Sequence, residues 1–584
     1  MMKKFIRIYS LAFAIGASSL FAISCSDKEN QEDIQKNKGN IAIRSVRFVN
    51  DDNVINVNGS IQKSASNKVG TSPGQVGRDI LKAGTSLESK IGSPLSIQKG
   101  TDFDFVSDLE SNALAKSDSS LKAKVANGGL KAADVPLNAN KKFRLIIIKD
   151  GATTPVYNGL LNSGQDPDLK VDANTKYSWY AISVNDANTA PDIDGSGVIA
   201  AADLANKDFM FASGVITTKV DNNYLDILFL RQMAAIEVTV NTRGMFGNID
   251  DNSTFSLGTG TGTTFTNIIQ TGNFSILNGT FSNFQDVAPI NGSQMSIVDN
   301  RWSNAEKVAH FYTANTNTVP ANNLRVQLNS LSLNLDDNST RTFASNSIVP
   351  INHSTSLSLT KGTLSKTNVR LIESGVTVSG LVWARTNLIF EGSKLYGGSY
   401  TVGSSDAYRF RTNNNYSFPS LDNEYWNFGT ATPRGTDYAT IDPCKRVYPE
   451  LTWRSPIESN PLEFTALRQN TNRSTSITTM PDGYRHSITW KGTQAVNSAY
   501  PDNDLILTYF GYRDANGIRQ QIPSGSANGA GSLRYKSASF NTSNNGNQIL
   551  YAEVNNGVFA NLSNQEVAFN QGNTIRCVRN VINN

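Results

Sequence analysis

The stretch Ala234-Ala235-Ile236-Glu237-Val238-Thr239-Val240-Asn241 decides the class of fold. Its isoleucine and valines alternate with Glu237, Thr239 and Asn241. Because successive side chains of a strand point to opposite faces, this period of two predicts a β-strand with one buried and one wet face.

The same period recurs on both sides of this stretch, at Leu324, Val326 and Leu328 and, one residue out of phase, at Leu331, Leu333 and Leu335. A bulge or tight turn near Asn329-Ser330 would absorb the slip. The apolar run 145–148 predicts a strand covered on both faces, and Tyr177 and Trp179 share one face of a later strand. Only residues 106–133 have the looser spacing of a short helix. From about residue 40 onward, the chain is therefore predicted to be mainly β.

Composition supports a multidomain β protein. The 584 residues leave room for about three or four domains, and 39% hydrophobic residues suffice to bury their cores. The 66 Asn and 44 Gly favour turns between short strands over long helices. The net charge of +4 falls to +1 without Lys3, Lys4 and Arg7, so the charge does not indicate nucleic acid as a partner. Three scattered His and three Cys cannot form a zinc cluster, and we expect neither a metal nor a cofactor.

The N-terminus has the pattern of a signal peptide, residues 1–24. A positive segment precedes the apolar run 8–23, which ends in small residues before Cys25. Ala22-Ile23-Ser24-Cys25 resembles a lipobox, which implies that Cys25 carries the lipid; an ordinary signal peptide with a coincidental Cys is the alternative. The polar, acidic stretch that follows predicts a disordered tether over 25–40. In Gram-negative bacteria with fimbrillin pili, such an acidic patch resembles a surface-export signal. These features predict a surface-exposed lipoprotein held in the outer membrane by its lipid anchor.

Two groups of motifs then follow in order, at residues 137–146 and 176–181 and at residues 208–214 and 228–240. Their order resembles the fimbrillin family, the two-domain subunits of strand-exchange pili, over roughly residues 40–365. The resemblance implies two transthyretin-like β-sandwich domains, at 41–205 and 206–365, followed by a linker at 366–378. A generic pair of β-sandwiches is the alternative.

The family resemblance also implies how the subunits assemble. Fimbrillins polymerise when a strand of one subunit completes the sheet of the next, as an unpaired sheet edge allows. Other pilus subunits are therefore expected as partners. An Arg-specific protease trims the first strand in that family, and Arg44 or Arg47 would be the candidate position here; an Arg in a first strand is otherwise a solvated residue.

The C-terminal residues 379–584 contain five short motifs, Asp442-Pro443-Cys444, Trp453-Arg454-Ser455-Pro456, Glu463-Phe464-Thr465-Ala466-Leu467, Gly511-Tyr512-Arg513 and Ile575-Arg576-Cys577-Val578-Arg579. In this order they resemble the FISUMP domain, a relative of the C-type-lectin-like α+β fold. Arg534-Tyr535-Lys536-Ser537 departs from the family's Tyr-Trp-Ser-Ser pattern, which puts the surface built by that Trp in doubt. Arg454 and Arg576 are expected to make structural contacts with aromatic rings or carboxylates.

Cys444 and Cys577 are the cysteines that remain once the lipid site is set aside. Because export through the periplasm is oxidising, we expect them to form a disulfide; two separately buried thiols are the alternative. On the chain-entropy model, closing this loop of 133 residues would raise the free energy of unfolding by about 5 kcal/mol. The pairing also argues against the formylglycine-generating enzyme that shares the fold, since its active site needs free thiols.

Two segments carry oxygen ligands at suggestive spacing. Asp192, Asp194, Ser196 and Asp203 fit the first, third, fifth and twelfth positions of an EF-hand-like calcium loop, although Asp/Gly-rich turns between strands look the same. Residues 424–427 resemble the calcium-dependent sugar site of true C-type lectins only faintly, because the paired Glu-Pro-Asn segment is missing.

No catalytic residue is expected. His310, His353 and His486 are dispersed, without a Gly-x-Ser-x-Gly or His-Glu-x-x-His motif, and the protein is predicted not to be an enzyme. The sequence predicts an accessory or tip component of a strand-exchange pilus that adheres through its lectin-like domain, because a last strand fixed by Cys577 could not be donated.

The alternative is a surface protein that binds or processes glycans and uses the fimbrillin-like domains as spacers. A host or bacterial glycan, or a protein, would then be the ligand. Aromatics of the last domain would contact it, unless they are core residues: Tyr396, Tyr400, Tyr416, Tyr425 and Trp426.

Overall fold

The computed structural model describes residues 38–49, 96–110, 134–300, 302–335, 337–391, 407–412, 415–419, 422–435, 442–457, 463–494, 499, 503–522, 527–541 and 546–580. Strands dominate these ranges, which confirms the predicted mainly β class. The two α-helices within them are short, α1 (Ala201–Leu204) and α2 (Glu463–Gln469). No helix in the described ranges is long and apolar enough to cross a membrane. The predicted signal peptide, Cys25 and residues 26–37 of the predicted tether lie outside these ranges.

The N-terminal part of the chain forms one large sheet. The strands in this part of the chain are β1 (Lys38–Val49), β2 (Gln98–Lys99), β3 (Phe103–Leu109), β4 (Asp134–Pro136), β5 (Lys142–Lys149), β6 (Pro155–Asn162), β7 (Leu169–Asp172), β8 (Lys176–Ser183), β9 (Val198–Ile199), β10 (Met210–Thr217) and β11 (Asp221–Arg231). Of these, β2, β3 and β9 pair in other sheets. The sheet runs β4-β1-β11-β10-β8-β5-β6, and β7 also pairs with β1. We call this sheet and its core the first unit.

Strand β5 is covered on both faces, as its apolar run predicted. Leu145 and Ile147 point into the core of the first unit, where Tyr177 and Trp179 join them on one face. Ile146 points the other way, into a second core shared with the next part of the chain. Both expectations from the sequence pattern are confirmed.

The middle unit contains β12 (Ala234–Gly244), β13 (Gly247–Ile249), β14 (Thr254–Thr259), β15 (Thr266–Asn267), β16 (Gln270–Ser275), β17 (Thr280–Asp286), β18 (Ile290–Asn291), β19 (Ser296–Ile297), β20 (Glu306–Thr313), β21 (Asn317–Val319), β22 (Leu324–Ser330), β23 (Ser332–Leu335), β24 (Thr340–Thr342), β25 (Ser347–Pro350), β26 (Leu357–Leu359) and β27 (Leu364–Glu373). Turns of 3₁₀ helix lie at Gly292–Gln294 and Ser303–Ala305. One sheet runs β19-β20-β12-β27-β3-β2, and a second runs β15-β14-β22-β25 with β18 beside β14. Smaller sheets are β13-β23-β24, β17-β16-β9 and β21-β26.

The opening stretch forms the inner strand β12 of the six-stranded sheet. Ile236, Val238 and Val240 are fully buried, which confirms the one-faced pattern. The slip after Leu328 is also confirmed as a bulge, because Asn329 is an extra residue opposite β14, and β23 then pairs in a different sheet. The core of this unit lies between its two larger sheets.

Two sequence-based assignments need correction. The predicted linker 366–378 is no linker: most of it is β27, which lies between β12 and β3 in the sheet. Residues 106–109 belong to strand β3 rather than to a helix, and residues 111–133 lie outside the described ranges. Strand β3, which falls within the range expected for the first sandwich, pairs instead with β27 of the middle unit.

The C-terminal unit contains β28 (Val376–Val378), β29 (Leu381–Trp383), β30 (Leu388–Phe390), β31 (Tyr408–Phe410), β32 (Trp453–Arg454), β33 (Arg473–Met480), β34 (Gly483–Lys491), β35 (Asp504–Thr508), β36 (Tyr512–Arg513), β37 (Arg519–Gln520), β38 (Gly531–Asn541), β39 (Gly546–Asn555), β40 (Val558–Phe559), β41 (Ser563–Ala568) and β42 (Val578–Arg579), with a 3₁₀ turn at Pro443–Arg446. Its sheets are β28-β29-β42-β32, β30-β31, β33-β34-β35, β36-β37 and β38-β39-β40 with β41 beside β39. Two buried cores hold it together, and Phe246 of the middle unit belongs to one of them.

Candidate functional site: the first strand and the C-terminal unit

Strand β1 is paired along both edges. It lies parallel to β11 on one side and antiparallel to β4 and β7 on the other. Ile41 and Val46 are buried in the core of the first unit. Withdrawing β1 would therefore leave a groove with unpaired backbone on both walls and a hole in the core, which is the geometry that an incoming strand needs.

Two ion pairs on the rim of the groove hold β1 in place. Lys38 donates to Asp172 at 2.7 Å, and the Arg44 guanidinium pairs with Asp226, with 3.0 Å between Nε and Oδ1. Hydrogen bonds from Lys38 and Lys149 hold the pKa of Asp172 below its usual range, and the hydrogen bond from Arg44 does the same to the pKa of Asp226. The ionised carboxylates therefore favour the inserted strand.

Arg44 and Arg47, the two predicted trimming positions, both lie inside β1. The Arg44 side chain is 67% exposed at a bulge between Ile43 and Ser45, whereas Arg47 is half-buried. Cleavage after Arg47 would separate most of β1 from the chain, while cleavage after Arg44 would leave Ser45–Val49 in place. A protease needs the strand to open locally first, because both bonds lie in a paired strand.

In the structure, Cys444 and Cys577 form a disulfide. The bond joins the 3₁₀ turn Pro443–Arg446 to the residue before β42, which lies between β29 and β32. Strand β42 is thus an inner strand that is fixed on both edges and by a covalent bond.

The arginines of the C-terminal motifs are part of the core. Arg454 pairs with the buried Glu463 through Nη1 and Oε2 at 2.9 Å. Arg576 is buried and donates to Asn387 and to the carbonyl of Ile506. Burial lowers the pKa of Arg576 to about 10. Its hydrogen bonds join it to amide and carbonyl oxygens and to the Tyr535 side chain, which gives it the structural role expected from the sequence.

The segment that departs from the FISUMP pattern lies in strand β38. Arg534 is stacked over Tyr512, with 3.7 Å from the guanidinium carbon to the ring centre, and Tyr535 is fully buried. Lys536 is buried and donates to the carbonyl of Asn427 at 2.8 Å; burial lowers its pKa to about 8. The residues that depart from the FISUMP pattern are therefore part of the core.

Tyr425 and Trp426 are fully buried, and the Tyr425 hydroxyl donates to the carbonyl of Phe510 at 2.6 Å. Glu424 is buried too and pairs with Arg411 at 3.0 Å. Tyr425 and Trp426 are therefore core residues and cannot contact a sugar, which corrects that part of the glycan hypothesis. Tyr416 is half-buried, and Tyr396 and Tyr400 lie outside the described ranges.

In the loop around Asp192, the carboxylates of Asp192 and Asp194 already accept hydrogen bonds from other groups of the protein. Asp194 accepts hydrogen bonds from the backbone of Ser196 and Val198, and Asp192 accepts one from Asn158. Asp203 belongs to α1, outside this turn. Within the described ranges, no group of three His, Cys, Asp or Glu could hold a metal ion. The geometry favours the Asp/Gly-rich turn over the calcium loop.

The three histidines have separate partners. His310 lies on β20, 3.6 Å from Glu237, whereas the buried ring of His353 accepts a hydrogen bond from the backbone of Leu324. His486 lies on β34, with its Nε2 2.8 Å from the carbonyl of Ala527. The structure brings none of them together.

A polar cavity of about 350 Å³ opens between the middle and C-terminal units. Its lining residues are Asp337, Ile389, Arg409, Arg411, Thr412, Ser417 and Glu424. Only Ile389 is apolar, and burial lowers the pKa of Arg409 to about 10. Sequence reasoning missed this cavity because Asp337 is distant from the other residues along the chain.

Sequence reasoning also missed the contacts between the C-terminal unit and the middle unit. Arg579 donates to Asp104 of β3 at 2.5 Å and to the carbonyl of Glu373 at 2.8 Å. The Arg243 guanidinium is held between the rings of Trp302 and Tyr448, 3.5 and 3.8 Å from their centres. No sequence motif marks these pairs. The Arg579 contact joins β3 to the C-terminal unit, and the Arg243 contact joins β12 to it.

Comparisons with known proteins find weak structural similarity alone. No protein-family model and no curated protein matches the chain. A solved structure provisionally named a cell adhesion protein of Bacteroides fragilis is 17% identical over 41% of this chain and 84% of its own, with a TM-score of 0.25. A fimbrial assembly protein of Parabacteroides distasonis is 12% identical over 40% of this chain and 85% of its own, with a TM-score of 0.20.

Proposed function

We propose that the protein is a surface-exposed lipoprotein that acts as an accessory or tip component of a strand-exchange pilus and adheres through its C-terminal unit. In this role, Cys25 carries the lipid anchor, the first unit accepts a strand from another pilus subunit, and the C-terminal unit faces the ligand. The residues involved bind and position; none has a catalytic role.

The arrangement of β1 is the single observation that carries the proposal. Strand β1 is inserted between β11, to which it is parallel, and β4 and β7, to which it is antiparallel, and a strand paired on both edges in this way has the geometry of a replaceable strand. Its buried residues are few, and its ion pairs are exposed to solvent. An incoming strand with the same apolar spacing would restore both the backbone pairing and the core contacts.

The last described strand supports acceptance without donation. Val578–Arg579 is enclosed by β29 and β32, and Cys577 is disulfide-bonded to Cys444. Releasing this strand would require the disulfide to open and the core around it to unfold. A subunit that accepts a strand but cannot donate this one would end a chain of strand exchange, as expected of a subunit at the end of a fibre.

The test uses the full chain with Cys25→Ser, incubated with an arginine-specific protease and purified strand-donating pilus subunits. Wild-type and Arg434→Lys chains should form a complex that resists dodecyl sulfate, since Arg434 lies on the surface of the C-terminal unit. The Arg44→Lys/Arg47→Lys chain should form none. Long homopolymers of the unmodified chain, or an equal yield from the double variant, would contradict the proposal.

A second candidate function, glycan binding, is favoured by the polar cavity. Guanidinium, carboxylate and hydroxyl groups side by side can donate hydrogen bonds to sugar hydroxyls and accept them, and Ile389 is the one apolar side chain of the lining. A glycan and matrix-protein array probed with the full chain would decide between the candidates. If Asp337→Ala loses saccharide binding and Asp422→Ala keeps it, the cavity is supported as the glycan-binding site. If both variants keep the binding, the cavity is excluded as that site.

A further inference from the structure

Strand β33 forms the outer edge of its sheet in the C-terminal unit. All eight of its residues pair with β34, and no described strand pairs with its other side. Ser474, Thr475 and Thr479 are exposed, and Ile477 is 39% exposed. A row of backbone donors and acceptors is therefore open to water along the strand.

This edge lacks the features that usually protect one. From Ser474 to Met480 the strand contains no charge, proline or glycine, and much of it is β-branched. Natural edges are blunted by charges, prolines or bulges because a bare edge pairs with other chains. Other described edge strands of six or more residues follow that rule: β6 begins with Pro155, β17 carries Asp286, and β41 carries Glu566. The exception at β33 points to a partner strand.

The turn after β33 determines which backbone groups face outward. Met480 pairs with Gly483 across a two-residue turn, and the residues that flank such a turn form a hydrogen-bonded pair. Because hydrogen-bonded and outward-facing residues alternate along an antiparallel pair, the outward amides and carbonyls belong to Thr475, Ile477 and Thr479.

We propose that β33 pairs antiparallel with β33 of a second copy of this chain, about a two-fold axis at Ile477. The two three-stranded sheets then form one sheet of six strands. Ile477 faces its own counterpart, and Thr475 faces Thr479 of the second copy. This inference is independent of strand exchange at β1, because it concerns a different edge in a different unit.

The sequence of the edge argues for a second copy as the occupant. In this register every outward residue faces an outward residue, as antiparallel pairing requires, and the two half-exposed isoleucines bury each other. The facing threonines form favourable cross-strand pairs. Arg473 lies beyond the paired residues, so no like charges are opposed. The interface is isologous, which is the commonest symmetry of soluble oligomers.

The first test is a charge swap in the full chain with Cys25→Ser, followed by sedimentation velocity over a range of concentrations. The unmodified chain should form a dimer. Thr475→Lys/Thr479→Lys places lysine opposite lysine twice and should weaken the dimer at least about tenfold. Thr475→Lys/Thr479→Glu places lysine opposite glutamate twice and should remain dimeric. A monomer at every concentration, or equal behaviour of the two variants, would overturn the proposal.

The second test fixes the register. In a hydrogen-bonded antiparallel pair the Cα atoms lie about 5.5 Å apart, within the range of a disulfide. Ile477→Cys should therefore cross-link to itself under mild oxidation. Ser474→Cys faces Met480 of the second copy and should not. A cross-link through residue 474, or none through residue 477, would refute the two-fold register even if the charge variants failed to fold.

Discussion

Removing the Arg579 guanidinium should cost the C-terminal unit a large part of its stability. Arg579 and Asp104 are both buried, and each is the charged partner of the other across the contact with β3. Breaking such a pair by removing one side costs about 3–5 kcal/mol, because the remaining charge stays buried without its partner. This corresponds to a decrease of about a hundredfold to a few thousandfold in the folded-to-unfolded ratio. Urea unfolding of Arg579→Met, followed by tryptophan fluorescence, measures the loss, since Trp383, Trp426, Trp453 and Trp490 report on this unit.

The pH dependence of the loss identifies its cause. Burial already raises the pKa of Asp104, although Arg579 opposes the shift. Without Arg579 the pKa rises further, so the folded state binds this proton more tightly than the unfolded state. The stability deficit of Arg579→Met should therefore shrink as the pH falls and grow as it rises through the raised pKa.

Two controls separate the buried pair from a general loss of charge. Arg434→Met removes half of an exposed pair and should cost less than about 1 kcal/mol. Asp104→Asn/Arg579→Met should recover part of the loss, since no charge is left uncompensated. The reasoning is refuted if Arg579→Met and Arg434→Met shift the unfolding midpoint equally.

The other predictions concern the groove, the disulfide and the docking contact. The lowered pKa values of Asp172 and Asp226 mean that their pairs stabilise β1 above the ordinary aspartate pKa of about 3.9 and that this stability is lost as the pH falls through the lowered values. In that acidic range, the hydrogen exchange of β1, corrected for the intrinsic rate, should accelerate relative to that of β5. The Asp172→Asn/Asp226→Asn variant should show no such acceleration. Replacing Cys444 and its partner by serine should lower the unfolding free energy of the C-terminal unit by about 2–5 kcal/mol, measured in urea; no change would contradict the role of the loop. Arg243→Met should cost about 0.5–2 kcal/mol through two lost ring contacts, to which the lost pairing with Glu306 at 3.9 Å adds. The control is Lys491→Met, which breaks the pair of an exposed lysine with Asp504 and should cost less than about 1 kcal/mol in the same thermal melts.

The sequence pattern predicted what depends on local periodicity. The alternation at Ile236 and the bulge at Asn329 follow from a period of two that each strand carries in itself. Strand β3 was missed because its partner β27 lies more than 250 residues away, and pairing at that distance leaves no local signal. The polar residues of β27 suggested a linker, yet its alternate residues are buried between two neighbouring strands.

The site was predictable only in part, for a similar reason. Cys444 and Cys577 could be paired because few cysteines remained, whereas nothing in the sequence places Asp337 beside Arg409. Aromatic residues were ambiguous because composition does not distinguish a core tyrosine such as Tyr425 from one that binds a ligand. Burial, which a single sequence does not report, decided that question.

The path of the chain explains why the C-terminal unit cannot move independently in the proposed role. Strand β27 ends at Glu373 and β28 begins at Val376, so only two residues separate an inner strand of the middle unit from the C-terminal sheets. The β3 contact to Arg579 closes the same junction from the other side. A module held by a two-residue connection and a buried ion pair keeps a fixed orientation. A ligand bound there would transmit load directly into the six-stranded sheet, because β3 and β27 are neighbours in it. An adhesive subunit under tension needs this continuity, and a spacer with a flexible linker would lack it.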